Sequence, residues 1–134
     1  MPFIRVSYLE PQYEADQLER ISQTIMSALI QHFNVPDDDL FQVFHAHKPG
    51  EFYYSKNYLD VKRSDGLLFI QITLKSGRTT EQKTSFYDTL AEQLSRALPM
   101  RKEDVFIVLV DTELEDWSFG NGVAQMLQRS VRGD

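Results

Sequence analysis

The sequence predicts an α+β fold: a duplicated β-α-β unit whose four strands form one sheet with two helices on one face. Three observations carry this reading. Residues 3–9 and 67–74 read as strands, and "LFQVFHAH" (40–47) and "VFIVLV" (105–110) read as strands again. Residues 14–33 and 80–98 instead place apolar side chains at helical spacing. Finally, Ile21, Ile25, Leu29 and Phe33 map onto Phe86, Leu90, Leu94 and Leu98 at a constant shift of 65, and Leu40 maps onto Val105 by the same shift. One offset kept through a helix and into the following strand marks a repeat rather than two unrelated amphipathic helices.

Each element has a local reason. The first strand alternates Ile4, Val6 and Tyr8 directly after Pro2. Pro11, Glu14 and Asp16 suit the start of the first helix, with acidic groups near the positive end of its dipole. "NVPDDD" then breaks the helix before the second strand. Thr79 and Gln82 fit the T-x-x-Q capping box that opens the second helix, and "MRKED" breaks that helix before the last strand. The chain thus divides as one domain into a first unit (2–47), a connecting loop (48–66), a second unit (67–111) and a tail (112–134). The loop has turn signals at Pro49-Gly50 and Asp65-Gly66. Its aromatics, Phe52, Tyr53, Tyr54 and Tyr58, exceed what a solvated linker needs and are expected to cover something. In the tail, "GNG" reads as a tight turn, followed by a short strand or helix within "VAQMLQRSVRGD".

Right-handed crossovers put both helices on one face of the sheet. The strands at 67–74 and 105–110 are apolar at most positions, so the other face also wants cover. Packing of sheets between subunits would supply it.

Composition narrows the function. At 134 residues with 42% hydrophobic content the chain can bury a core. It has no cysteine, which excludes disulfides, thiolate zinc sites and cysteine nucleophiles. A net charge of −6 and a pI near 5.0 argue against nucleic-acid binding, which shows as a basic face. A small anionic ligand would need a local cationic pocket. No secretory signal and no apolar run approaching the ~18 residues of a membrane span is visible, so a cytoplasmic protein is expected.

Several residues could carry chemistry. Proline is tolerated as the first residue of a strand, and Pro2 has that plain explanation. Removal of Met1 would also turn it into a free secondary amine. An α-amine titrates at roughly 7.7–8.0 when unperturbed, and burial or neighbouring cations lower that toward the range useful for acid–base work. Arg78, in "KSGRTTEQ", lies at the start of the second helix, where backbone amides and the dipole favour an anion and a guanidinium fork can grip a carboxylate. It also reads as a solvated loop arginine. Asp39 is the last of three acids in a turn and the one nearest the strand. His45 and His47 share a strand face, but no third ligand follows at a natural spacing, so a packed or interfacial role is expected and no metal. Trp117 and Phe119, in "EDWSFGNG", read either as a core plug or as the apolar wall of a pocket.

Together these pieces resemble the tautomerase superfamily, the group containing 4-oxalocrotonate tautomerase and macrophage migration inhibitory factor, and within it the branch of malonate semialdehyde decarboxylase. The resemblance runs over nearly the whole chain and rests on Pro2, "FNVPDDDLFQV", "HKPGEF", "GRTTEQKTSFY" and "DWSFGNG". It implies a trimer without cofactor, Pro2 as the catalytic amine after loss of Met1, and Asp39 as the active-site aspartate. Of the two arginines that the decarboxylase carries before its second helix, the second matches Arg78 and the first falls on Ser76. Lys75 is adjacent to Ser76, but neighbours on an extended chain point to opposite faces. The family's apolar wall falls on Trp117, Phe119 and Met126.

The leading reading is a tautomerase of small 2-keto or enol carboxylates. Pro2 would move the proton, Arg78 would hold the carboxylate, and Ser76, Trp117, Phe119 and Met126 would line the substrate site. The alternatives are a decarboxylase of a 3-oxo acid such as malonate semialdehyde, for which Ser76 leaves one cation fewer, and a non-enzymatic ferredoxin-like binding module.

Overall fold

A computed structural model describes residues 1–128. Its main elements are β1 (Phe3–Leu9), α1 (Ala15–Phe33), β2 (Gln42–His47), β3 (Leu68–Lys75), α2 (Thr80–Ala97), β4 (Val105–Thr112) and the short α3 (Gln125–Gln128). The sheet order is β2-β1-β3-β4. β1 pairs parallel with β2, β3 pairs parallel with β4, and the two units meet through the antiparallel β1–β3 ladder. This is the α+β fold that the repeat predicts. No helix among the described residues is long and apolar enough to cross a membrane.

The helices begin and end for local reasons. The Thr79 hydroxyl accepts from the Gln82 N–H at 3.1 Å, and the Gln82 side-chain oxygen accepts from the Thr79 N–H at 2.8 Å. That is the predicted capping box, and it satisfies two amides that the first turn leaves unpaired. At α1 the Gln17 side chain accepts from the Glu14 N–H at 2.8 Å, and Asn34, at φ 55°, ends the helix in the left-handed conformation.

Both helices pack on one sheet face. Ile4, Val6, Leu68, Ile70 and Ile72 point into this core and are fully buried, as are Ile21, Ile25 and Leu29 of α1 and Phe86, Leu90 and Leu94 of α2. Phe33 stacks on Phe86 with ring centroids 4.8 Å apart. Burying a side chain of this size contributes about 1.5–3 kcal/mol, so the helix residues in register across the repeat stabilise the fold together with the strand residues they cover. The offset of 65 therefore holds through the helices. It does not extend to Leu40, which is 50% exposed and precedes β2, whereas Val105 begins β4 and packs against the core. Nor does it relate β1 to β3, whose core-facing residues are even-numbered in both strands and so require an even offset.

The opposite sheet face is only partly covered. Phe52 from the connecting loop packs on Leu9 and Leu67, joined by Tyr54 and Phe69, so this pair of loop aromatics has the predicted covering role. Tyr53 and Tyr58 do not share it and lie exposed. Val43, Phe106, Val108 and Val110 are exposed as well. His45 accepts from Arg5 at 3.2 Å, while the His47 ring lies 5.9 Å from Phe52. The end of the loop is held by Asp104, a buried carboxylate that accepts from the Ser64 N–H at 2.7 Å and the Ser64 hydroxyl at 2.5 Å.

β4 runs two residues past its predicted end at 110. The tail beyond it forms a 3-10 turn, the glycine turn and α3. The rest of the segment read from sequence as strand or helix, 129–134, lies outside the described residues.

Candidate active site

Topology brings distant residues to one end of the sheet. β1 and β2 start there, and β3 and β4 end there, because the inner pair is antiparallel and the outer pairs are parallel. Each helix runs opposite to the strand before it, so α1 ends and α2 begins at that same end. Pro2, Asp39, Arg78 and the segment after β4 therefore lie at one end of the sheet, although the chain separates them by dozens of residues.

Pro2 is buried at the start of β1. The ladder to β3 ends at Phe3–Thr73, which leaves Pro2 at the level of Leu74. Met1 is also buried, and its ammonium lies 2.5 Å from Asp39 Oδ2. Asp39 is in place because the turn after Pro36 closes with an Asp39 N–H to Pro36 carbonyl bond of 3.1 Å, and the Ile4 N–H ties β1 to the Phe41 carbonyl at 3.0 Å. Asp37 and Asp38 are exposed, whereas Asp39 is partly buried. The last acid of the turn is the one that contacts the Met1 amine.

A cleft of about 290 Å³ opens beside this pair, lined by Asp39, Phe41, Phe119, Gln125 and Met126 along with Pro36 and Asp38. Phe119 lies 5.8 Å from Phe41 and stacks on Trp117 at 5.5 Å, with the rings 9° from parallel. Of the predicted wall, Phe119 and Met126 face the cleft directly, and Trp117 backs Phe119 from behind. The glycine turn carrying Phe119 is closed by Gln125, which accepts from the Phe119 N–H at 2.9 Å and donates to the Gly120 carbonyl at 2.8 Å.

Arg78 and Ser76 line a second, smaller pocket at the same end, with Phe33, Lys75, Gly77 and Gln82. The Arg78 guanidinium donates to the Lys75 carbonyl at 2.9 Å and the Phe33 carbonyl at 3.3 Å, and lies 5.5 Å from the centre of the Phe33 ring. It is thus an anchored cation at the amide-rich start of α2, and not a solvated loop arginine. Gly77, at φ 116°, makes the bend between β3 and Arg78 in a conformation that a side chain would strain. The Ser76 hydroxyl donates to Glu113 Oε1 at 2.9 Å. Where the resemblance places a first arginine, this chain therefore holds a serine paired with a carboxylate. Among the described residues no group of three or more His, Asp or Glu side chains is placed to hold a metal ion.

Comparison with known proteins decides the family. Two family models, both described as "Tautomerase enzyme", match residues 39–120 and 2–61. Probable tautomerase YusQ of Bacillus subtilis (strain 168) is 45% identical over 96% of this chain and 100% of its own length. The chain belongs to the tautomerase family. A second relative from that organism, Probable tautomerase YrdN, is 30% identical over 95% of this chain and 97% of its own. Among solved structures, malonate semialdehyde decarboxylase superposes with a TM-score of 0.88 at 27% identity, covering 96% of this chain and 98% of that one. A fused 4-OT solved as a symmetric trimer, at 18% identity and a TM-score of 0.74 over 92% of this chain and 96% of that one, shares the fold. The two tautomerase matches open on Asp39 and on Pro2, and between them they span Arg78, Trp117 and Phe119.

Three contributors escape sequence reasoning in this tautomerase-family chain. Phe41 reads as one more strand residue, yet it precedes β2 and lines the cleft. Thr112 and Glu113 lie beyond the predicted end of the last strand, and their roles depend on which carbonyl, indole or hydroxyl the fold brings near them.

Proposed function

We propose that this chain is a tautomerase of small 2-keto or enol carboxylates in which Pro2, freed by removal of Met1, is the proton-transferring amine. The observation that carries the reading is the Met1 ammonium 2.5 Å from Asp39, with Pro2 next in the chain and buried, and with Asp39 itself lining a cleft walled by Phe41, Phe119 and Met126. Loss of one residue transfers the chain's terminal amine to Pro2. With Met1 in place the Pro2 nitrogen is a tertiary amide, with neither a proton to give nor a basic lone pair.

In the mature form the neutral Pro2 amine takes the enol hydroxyl proton and becomes an ammonium. It then returns a proton to the adjacent carbon, which leaves the keto acid and the free amine. Arg78 holds the substrate carboxylate at the start of α2. Asp39 orients the amine or a water. Ser76 lies beside the carboxylate site, and Phe119 and Met126, with Trp117 behind them, exclude water from the reacting carbons. Val43, Phe106, Val108 and Val110 support a homotrimer assembled through the open sheet face.

A second reading, decarboxylation of malonate semialdehyde, is favoured by the 0.88 TM-score to that decarboxylase. The Ser76–Glu113 pair counts against it, because it removes a cation and adds an anion near the carbonyl that would be polarised. The test begins with a mass spectrum establishing loss of Met1. Ketonisation of phenylenolpyruvate and carbon dioxide release from malonate semialdehyde are then measured for the wild type and Pro2→Ala. Enol turnover that falls at least a hundredfold in Pro2→Ala is expected. Unchanged turnover would refute the amine's role, and carbon dioxide release exceeding enol turnover would favour the second reading.

A further inference from the structure

Trp117 is the chain's single tryptophan, and one hydroxyl sets where its indole sits. The indole Nε1–H donates to Thr112 Oγ1 at 2.7 Å, and Thr112 Oγ1 donates to the Leu74 carbonyl at 2.8 Å. A threonine hydroxyl has one proton. Giving that proton to the carbonyl leaves a lone pair as the acceptor for the indole, so both bonds form with defined polarity. Leu74 lies at the level of Pro2 on the neighbouring strand. The indole is therefore tied, through Thr112, to the backbone alongside the proposed amine, and it carries the Phe119 ring by an almost parallel stack at 5.5 Å.

We infer that Thr112 is a positioning residue: through its bond to Trp117 it fixes the aromatic wall of the cleft relative to Pro2 and so sets the apolar width available to the substrate. Without the hydroxyl, the Trp117–Phe119 pair keeps its stack but loses its only described polar tie to the sheet. The inference rests on reading the cleft as the substrate site, and the experiment separates the two ideas.

Thr112→Val replaces the hydroxyl with a methyl of similar size, and Thr112→Ser keeps the hydroxyl. Steady-state ketonisation of phenylenolpyruvate and tryptophan emission with acrylamide quenching are measured for both variants. In Thr112→Val, KM rises about five- to tenfold, the size expected for one lost hydrogen bond at the site wall, while kcat stays within about threefold. Its emission shifts and its quenching increases. Thr112→Ser restores KM and emission to within about twofold of the wild type. A Thr112→Val enzyme with unchanged KM, emission and quenching overturns the inference, as does a Thr112→Ser enzyme equally impaired. Should Thr112→Val not fold, Trp117→Phe removes the same bond from the other side, and an unchanged KM there overturns it. If the wild type does not turn over the enol, the tautomerase reading fails, and emission and quenching alone decide the placement by Thr112.

Discussion

Replacing Arg78 with alanine removes a side chain that links three elements and also serves the proposed substrate site. The guanidinium bonds the Lys75 carbonyl at the end of β3 at 2.9 Å and the Phe33 carbonyl at the end of α1 at 3.3 Å, and it covers the Phe33 ring at 5.5 Å. A hydrogen bond from a charged donor contributes about 1.5 kcal/mol at a partly exposed site, the longer bond less, and the ring contact about 0.5 kcal/mol. The sum is roughly 2–3 kcal/mol, which for a chain of this length lowers the melting temperature by about 10 °C. Loss of the carboxylate grip should lower kcat/KM by roughly 10²–10³-fold. Arg78→Lys keeps the charge but loses the planar fork, so it should recover less than half of either loss. Thermal melts monitored by circular dichroism, alongside phenylenolpyruvate ketonisation on protein shown to lack Met1, read both effects. Melting of Arg78→Ala within about 2 °C of the wild type would show that the carbonyl contacts contribute nothing. Turnover within threefold would show that the guanidinium does not touch the substrate.

Phe86→Ala should cost about 3–5 kcal/mol, because the ring is fully buried against Phe33 and its removal leaves a cavity between the two helices. Urea unfolding measures it, and a loss below about 1.5 kcal/mol would mean that the repeat-related core is not a stabilising set. Alkaline stability depends on Tyr13, whose hydroxyl donates to the Gly66 carbonyl and whose pKa is pushed from 10.0 up to about 12 by burial and the nearby Asp104 carboxylate. The folded chain keeps the proton where the unfolded chain releases it. The stabilisation is thus full below pH 10 and lost as pH rises through 12; for a half-buried ring it is worth about 1 kcal/mol. Tyr13→Phe should flatten the fall in urea midpoint between about pH 10 and 12, and an unchanged slope would place the alkaline transition elsewhere.

Much of the fold was legible because periodicity reports burial. Ile21, Ile25, Leu29 and Phe33 are all buried, as are their partners Phe86, Leu90, Leu94 and Leu98, because a helix on a sheet has only one face to hide. The Thr79–Gln82 capping box was equally legible, since its chemistry is complete within four residues. Strand ends were not. β2 starts at Gln42 rather than Leu40, and β4 continues to Thr112, because a strand ends where its neighbour stops pairing, and the neighbour is distant in sequence. The connecting loop shows the same limit. Its aromatic content signals a covering role, but only packing separates Phe52, seated on Leu9 and Leu67, from Tyr53, which stays in solvent.

By itself the sequence determined the duplicated β-α-β pattern, the family and the short list of residues able to do chemistry, because each is written in residue type and spacing. Tertiary structure alone decided which of them meet. It set the Met1 amine against Asp39, anchored Arg78 on two backbone carbonyls, paired Ser76 with Glu113, and put Trp117 behind Phe119 on a threonine that no motif marks. The physical reason is that hydrogen bonds and ring stacks act over a few ångströms. Which groups come within that reach is set by an antiparallel β1–β3 ladder that joins residues far apart in the chain, from Tyr8 with Leu68 to Phe3 with Thr73.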